Sequence, residues 1–215
     1  MQGGITMKKY LIGIIILLAI GFFAWKSMAP AGDPNRSAAG LPDPKQFAAQ
    51  GGTEFEEAEY TVSVKYKMSY DMTALAVSTK KYSGYSLQDR IAPKDVAFAW
   101  GAVAEYNDRI DFHFSQSGRW YYWRVDDASV LAPVGGESGV NRHSANNHLI
   151  PSTDAIKAEI MKIKTGDIVH VTGYLVDINA QKSDGTYFTW NSSTSRDDTG
   201  DGACEVIYVT GIEIK

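Results

Sequence analysis

Residues 60–70 read YTVSVKYKMSY, the clearest structural signal in the chain. Apolar and aromatic side chains occupy every second position from Tyr60 to Tyr70, and Thr, Ser and Lys occupy the positions between them. Successive side chains of a β-strand point to opposite faces. The alternation therefore predicts a strand that is buried on one side and faces solvent on the other.

Shorter elements are predicted after this strand. Residues 73–79 favour a second strand, and Pro93 followed by spaced apolar residues predicts a short helix that ends near Gly101. Residues 110–114 alternate again, and the aromatic stretch 119–125 follows a Ser-Gly turn. These last two stretches predict a β-hairpin.

The second half of the chain combines a loop, a helix and three strands. Residues 126–152 are rich in Gly, Ser and Asn without an apolar period, which predicts a long loop. Ser152 or Thr153 is placed to cap a helix that ends at residues 165–166 and carries one apolar stripe, formed by Ile156, Ile160 and Ile163. Three strands are then expected, at residues 167–179, 186–191 and 204–214.

These elements define the expected fold class. Six or seven strands and two short helices predict an α+β domain, mainly antiparallel β, with a curled or barrel-like sheet. The last three predicted strands resemble half of an OB-type barrel. Gly173 interrupts the alternation of its strand, which indicates a bulge or a close approach of backbone.

The N-terminal segment predicts a membrane anchor. No charged residue occurs between Tyr10 and Trp25, and a helix of this length spans about 24 Å, slightly less than a hydrocarbon core. Lys8 and Lys9 precede the segment, and Lys26 follows it. By the positive-inside rule, the chain is expected to cross the inner (cytoplasmic) membrane once, through the lipid bilayer, with its N-terminus in the cytoplasm.

A cleaved signal peptide is the alternative interpretation of the same segment, because residues 29–31 imitate a cleavage site. Both interpretations place the bulk of the chain in the periplasm or outside the cell. The expected organisation is an anchor or signal at residues 1–26, a flexible Pro-, Ala- and Gly-rich linker at 27–53, and an extracytoplasmic β-rich domain at 54–215.

Composition excludes several classes of protein. The chain has 215 residues and a single Cys, so an intrachain disulfide framework is excluded. With 21 basic and 25 acidic side chains, its net charge is −4. Removing residues 1–26 removes three lysines and no acid. The remainder is therefore more acidic still, which argues against a nucleic-acid-coating protein.

Cys204 is a candidate nucleophile. It lies where a Gly-rich turn enters the last predicted strand, on the face of Val206 and Tyr208. One interpretation is a thiol hydrolase or transferase in which His148 acts as the base. The other is a small core side chain, which an oxidising compartment favours.

The polar segment at residues 141–151 holds further candidates. His143 and His148 lie five positions apart, with Asn146 and Asn147 between them, and no carboxylate is adjacent. A metal site would need a third ligand. The side chains either satisfy backbone groups of a loop or form a binding site on it.

Residues 192–202 indicate a weak calcium site, the one cofactor the sequence suggests. Asp197, Asp198 and Asp201 could supply hard oxygen ligands, but Tyr208 stands where an EF-hand loop needs its closing acid. Arg196 is alternatively placed to pair with these acids and order the turn.

The run from Trp120 to Trp123 alternates two aromatic pairs across a strand. One pair is expected to fill the core, and the other could form a stacking platform for a sugar or a peptide. His113 and His170 are interpreted as ordinary solvent-facing residues.

Three stretches, residues 115–124, 144–151 and 190–205, resemble an uncharacterised family of bacterial single-pass, membrane-anchored envelope proteins. The resemblance covers roughly residues 54–214 and implies an envelope location without an activity. We expect a domain that binds an envelope protein or a cell-wall component, with a calcium-stabilised structural domain as a further alternative. The candidate ligand-binding residues are Arg119, Asn146, His148, Ser193, Arg196 and Glu205.

Overall fold

The structure is a computed structural model that describes residues 32–195 and 203–215. The predicted anchor between Tyr10 and Trp25 lies outside these residues. Within the described ranges, no helix is both long enough and apolar enough to cross a membrane.

The described residues form ten strands, four short α-helices and one 3-10 helix. The strands are β1 (Lys45–Ala48), β2 (Gly52–Glu57), β3 (Tyr60–Lys81), β4 (Lys94–Ala99), β5 (Ser115–Ser117), β6 (Trp120–Tyr122), β7 (Ser144–Pro151), β8 (Ile168–Lys182), β9 (Tyr187–Asn191) and β10 (Glu205–Ile214). The helices are α1 (Leu87–Ile91), α2 (Gly101–Glu105), α3 (Gly136–Arg142) and α4 (Asp154–Lys162), with the 3-10 helix at Ala128–Val134.

Five strands pair in a continuous ring, in the order β3, β4, β7, β10, β8 and back to β3. Among the described strands, only β7 and β10 pair in parallel. β1 and β2 pair with β3, and β9 pairs with β8, so these three extend the ring outward. The prediction of a mainly antiparallel sheet with a few short helices is confirmed.

β3 makes the ring possible because it is long enough to reach two neighbours. It pairs with β8 from Tyr60 to Leu75 and with β4 from Leu75 to Lys81. The alternating stretch at 60–70 is therefore a strand, as predicted, and the stretch at 73–79 continues it instead of forming a second one. Register shifts near Tyr66 and Ala76 bend the strand.

The principal core lies between the ring strands and α4. Its buried side chains include Met72, Phe98, Leu149, Val171 and Ile207. Ile160 and Ile163 from the α4 region belong to the same cluster. The predicted helix is confirmed together with its cap, since the hydroxyl of Thr153 accepts a hydrogen bond from the Ile156 amide. It ends at Lys162, slightly before the predicted Gly.

The helix predicted from Pro93 is wrong. Lys94–Ala99 forms β4, and the helix α2 begins only at Gly101. All six residues of β4 are buried. A strand covered on both faces has no hydrophobic alternation, so its pattern resembles that of a buried helix.

The long loop predicted for residues 126–152 is also wrong. The segment contains the 3-10 helix, α3 and β7. β7 lies between β4 and β10 in the ring, and His148 is buried there in a strand. The Asn and His side chains of β7 made the segment look like a polar loop in the sequence. They are buried in a central strand because their partners lie far away along the chain.

The hairpin is present but shifted along the chain. Ser115–Ser117 pairs with Trp120–Tyr122 across a turn at Gly118, whose φ is +58°. Residues 110–114 do not form the expected strand. His113 has φ +44°, in the left-handed region that few non-glycine residues adopt.

The folded domain begins earlier than the predicted linker boundary at residue 53. Lys45–Ala48 pairs with β3, and the Ala38 amide donates to the carbonyl of Ala104. The interpretation of Gly173 as a close approach is confirmed, because a Cβ there would lie 2.1 Å from the carbonyl oxygen of Tyr208. Residues 32–53 therefore belong to the ordered domain.

Candidate functional site

A cavity of about 280 Å³ lies where β4 ends and β7 and β10 begin. The hairpin β5–β6 and the residues Ser195 and Ala203 complete its wall. We call it the aromatic cavity. It is lined by Trp100, Trp120, Tyr121, Tyr122, Trp123, Asn141, Arg142, Ser144, Ala145, Asn146, Ser195, Ala203, Cys204 and Glu205.

The hairpin supplies most of the aromatic rings. Trp120 and Tyr122 are 45% and 50% exposed, whereas Tyr121 and Trp123 pack against the core. This division is the alternation that the sequence predicted. The hydroxyl of Tyr121 donates to Oγ of Ser144 at 2.9 Å. Burial raises the pKa of Tyr121, so its phenol remains a neutral donor.

Asn146 joins the hairpin to the ring and is 2% exposed. Its Nδ2 donates to the backbone carbonyl of Arg119 at 3.1 Å, and its Oδ1 accepts from Nε2 of Gln116 at 2.6 Å. The same Nδ2 lies 3.9 Å from Sγ of Cys204. The side chain of Asn146 therefore positions the cavity wall and contacts the thiol.

Cys204 is half-buried and lines the aromatic cavity just before β10. Its carbonyl accepts a hydrogen bond from the amide of Ser193 at 3.1 Å, which joins the residue before β10 to the segment after β9. The thiol is neither deep in the core nor fully exposed.

His148 has different described neighbours. Its Nδ1 lies 2.9 Å from Oδ2 of Asp95, in an ion-pair contact that is not aligned as a hydrogen bond. Its ring lies 4.6 Å from that of Trp190, centroid to centroid. Asp95 faces His148 directly across the β4–β7 pairing. The described side-chain contacts of His148 are thus with β4 and β9, while its backbone pairs with Val206 of β10. The described side-chain contact of Cys204 is with Asn146.

A group of ionisable side chains, which we call the charged cluster, consists of the buried Asp95 and His148 and the partly buried Asp89 and Arg119. The guanidinium of Arg119 donates from Nη1 to Oδ1 of Asp95 at 2.7 Å and from Nη2 to Oδ1 of Asp89 at 2.9 Å. Nη2 also donates to the carbonyl of Ala92. The Asp95 side chain is fully buried, so these donors offset the cost of burying its charge.

Tyr82 covers the charged cluster. Its hydroxyl donates to Oδ2 of Asp95 at 2.8 Å, and the guanidinium carbon of Arg119 lies 3.7 Å from its ring centroid. Burial, and after it the negative charge of Asp95, raises the pKa of Tyr82 well above its ordinary value. The phenol therefore remains protonated as a donor to the carboxylate.

The other predicted site residues divide into two groups. Ser193 and Glu205 are buried beside the cavity, at 7% and 3% exposure. Arg196 and the calcium candidates Asp197, Asp198 and Asp201 lie outside the described residues. Within the ranges that the structure describes, no group of three His, Cys, Asp or Glu side chains is placed to hold a metal ion.

The solvent-facing histidines lie beside carboxylates. Nε2 of His170 is 3.0 Å from Asp71, and Nδ1 of His113 is 3.4 Å from Asp111. Both histidines are about one-third exposed, so these are surface contacts of little energetic weight.

Several residues of the site were missed by sequence reasoning. Tyr82, Asp95 and Gln116 contact predicted residues directly. The adjacent charges of Lys94 and Asp95 interrupt an otherwise apolar stretch, and this pattern was an available signal for a buried charge partner.

Comparison with protein-family models, with curated proteins and with solved structures gave no match for this chain.

Proposed function

We propose that this chain is an extracytoplasmic binding domain of the bacterial envelope, anchored in the inner membrane by its N-terminal segment. Its ligand is a cell-wall component that enters the aromatic cavity. The observation that carries the proposal is the cavity itself. Five aromatic residues and several buried polar groups converge on one concave site at the end of the strand ring, which is typical of ligand pockets.

The order of the ring supports an OB-type barrel. Counted along the chain, its strands pair in the order first, second, third, fifth, fourth and first, with α4 between the third and the fourth. OB-folds bind oligonucleotides or oligosaccharides near their second and third strands and the adjoining loops. The aromatic cavity lies on β7, the third strand, and on the connection that leads into the fifth. This support is an analogy of fold.

Charge favours a cell-wall ligand over a nucleic acid. All 25 acidic side chains lie after residue 26, whereas three of the 21 basic ones lie within residues 1–26. An acidic domain repels a phosphate backbone. Exposed aromatic rings beside amide groups suit a sugar or a peptide instead. The uncharged segment between Tyr10 and Trp25 supports the location at the membrane.

The proposal is tested by cosedimentation of the full-length chain, kept soluble in a maltoside detergent, with purified cell-wall sacculi. We expect wild type to pellet with the sacculi. Replacing Trp120 or Tyr122 by Ala should lower the bound fraction at least fivefold, because each exposed ring forms part of the cavity wall. Tyr187→Ala is the matched control, since Tyr187 is 78% exposed on β9 and does not line the cavity. The proposal would be refuted if all four proteins pelleted equally, or if the wild-type protein did not pellet with the sacculi.

A thiol hydrolase or transferase is the second candidate function, because Cys204 lines the same cavity. Its test is the rate constant for alkylation of Cys204 by iodoacetamide. If His148 acts as the base, His148→Asn should slow this reaction at least tenfold at neutral pH. An unchanged rate in a variant with native circular dichroism would exclude the pair as a catalytic unit.

A further inference from the structure

We infer that the aromatic cavity recognises a positively charged ammonium group on its ligand. The inference rests on the proposed function and specifies the chemistry of the group that is bound. Its basis is the combination of aromatic rings and a buried carboxylate around one cavity.

The aromatic lining of the cavity consists of five residues. Three tryptophans and two tyrosines surround about 280 Å³, and they come from two parts of the fold. Trp100 follows β4, whereas the other four lie on or directly after β6. The exposed rings of Trp120 and Tyr122 and the buried Trp100 thus line the cavity from two elements. Because aromatic faces are electronegative, a cation surrounded by them is stabilised, most strongly by Trp.

Charge complementarity favours the same ligand. Glu205 lines the cavity and is 3% exposed, so its carboxylate acts through a medium with little screening by water. Among the described lining residues, the basic one is Arg142, whose side chain is exposed. The remaining polar lining groups include Asn141, Ser144 and Asn146, which are neutral. The acidic balance of the domain attracts cations to this surface.

Size restricts the ligand to a small group. A cavity of about 280 Å³ is at the lower end of the range for small-molecule pockets. It suits a primary or quaternary ammonium head better than an extended polymer. The remainder of a larger ligand would pass over the exposed rings of Trp120 and Tyr122.

Two probes of equal shape distinguish the contribution of ligand charge to the affinity from that of buried apolar ligand surface. Choline carries a trimethylammonium group, and 3,3-dimethyl-1-butanol carries a neutral tert-butyl group in its place. We would titrate the full-length chain in maltoside with each probe and follow its tryptophan fluorescence, with sodium chloride as the salt control. We expect the Kd for choline to be at least tenfold lower than that for the alcohol.

Two variants assign the effect to the cavity. Trp120→Leu, at a half-exposed position that tolerates substitution, should raise the Kd for choline at least fivefold and alter the Kd for the alcohol little. Glu205→Gln should act in the same direction, with Glu137→Gln on the exposed surface of α3 as its matched control. If Glu205→Gln does not fold, Trp120→Leu alone decides the outcome.

The outcomes separate this inference from the proposed function. Equal affinities for the two probes, or no binding of choline, would overturn the ammonium site even if sacculi still bind through Trp120. Selective binding of choline, weakened by Trp120→Leu, would support the ammonium site even if sacculi fail to bind. The ligand that carries the ammonium group would then come from a source other than the cell wall.

Discussion

Nη1 of Arg119 donates a hydrogen bond of 2.7 Å to Oδ1 of Asp95, which has no exposed side-chain surface. Arg119 belongs to the turn of the β5–β6 hairpin, and Asp95 belongs to β4 within the ring. This contact is one of several that attach the aromatic wall of the cavity to the sheet. The carbonyl of Arg119 accepts from Nδ2 of Asn146 on β7, which adds a backbone attachment at the same residue.

Replacement of Arg119 by Ala should destabilise the domain by about 3 kcal/mol, because it leaves the buried charge of Asp95 without its main partner. Urea denaturation followed by circular dichroism measures the loss. Arg124→Ala is the matched control. Arg124 pairs with Asp126 at 2.9 Å, but the two side chains are 67% and 81% exposed, so the expected loss is below about 0.5 kcal/mol. Similar losses in both variants would contradict the assigned role.

Tyr82→Phe should reduce the free energy of unfolding by about 1–2 kcal/mol, since it removes a donor to the buried carboxylate of Asp95 but keeps the ring beneath Arg119. The same urea experiment checks it. Tyr85→Phe removes a hydroxyl from a side chain that is 90% exposed, and it should leave stability unchanged. A loss in Tyr85→Phe as large as that in Tyr82→Phe would count against the buried contact as the cause.

Lys94 should make stability depend on pH. It is 1% exposed, and Nζ donates to the carbonyl of Ile163. Burial and, after it, the nearby charge of Lys81 lower the pKa of Lys94 from 10.5 to about 8. Between these values the unfolded chain binds a proton that the folded chain does not, so the free energy of unfolding rises with pH.

We expect a gain of about 1 kcal/mol between pH 7.5 and pH 9 that is present in wild type and absent in Lys94→Met. Denaturant titrations across this range measure it. The range ends below pH 10, where ionisation of tyrosines in the unfolded chain acts in the opposite direction. Lys157→Met, at an exposed position of α4, should retain the slope. A wild-type slope of zero or of negative sign would refute the prediction.

Gly173→Ala should destabilise the domain by about 3 kcal/mol, because its new Cβ would meet the backbone carbonyl of Tyr208 at 2.1 Å. Thermal or urea unfolding measures the effect. Gly211→Ala provides the comparison within the same strand pair. Its Cβ would meet the side-chain hydroxyl of Thr172 at 2.4 Å, which can rotate away, so the expected loss is smaller. If Gly211→Ala destabilised the domain more than Gly173→Ala, the close approach of the two backbones would not be the cause of the loss.

Sequence reasoning located the elements whose pattern is local. The alternation at residues 60–70, the apolar stripe and cap of α4, and the two faces of Trp120–Trp123 all depend on neighbours within one element. It failed for β4 and β7, which are covered on both faces and have no simple period. Asn146 and Cys204 were separate candidates in the sequence, and the contact between them was not predicted, because the segment that holds Asn146 was interpreted as a loop.

The sequence by itself determined that this is an acidic, β-rich domain that follows an uncharged N-terminal segment, because composition and periodicity are properties of the chain alone. Only the tertiary structure decided which side chains meet. Asp95 and His148 are 53 positions apart in the chain and are joined by the pairing of β4 with β7. The same strand pairings place Trp100, the hairpin and Glu205 around one cavity. A contact of this kind depends on register across the ring, which no local pattern of residues encodes.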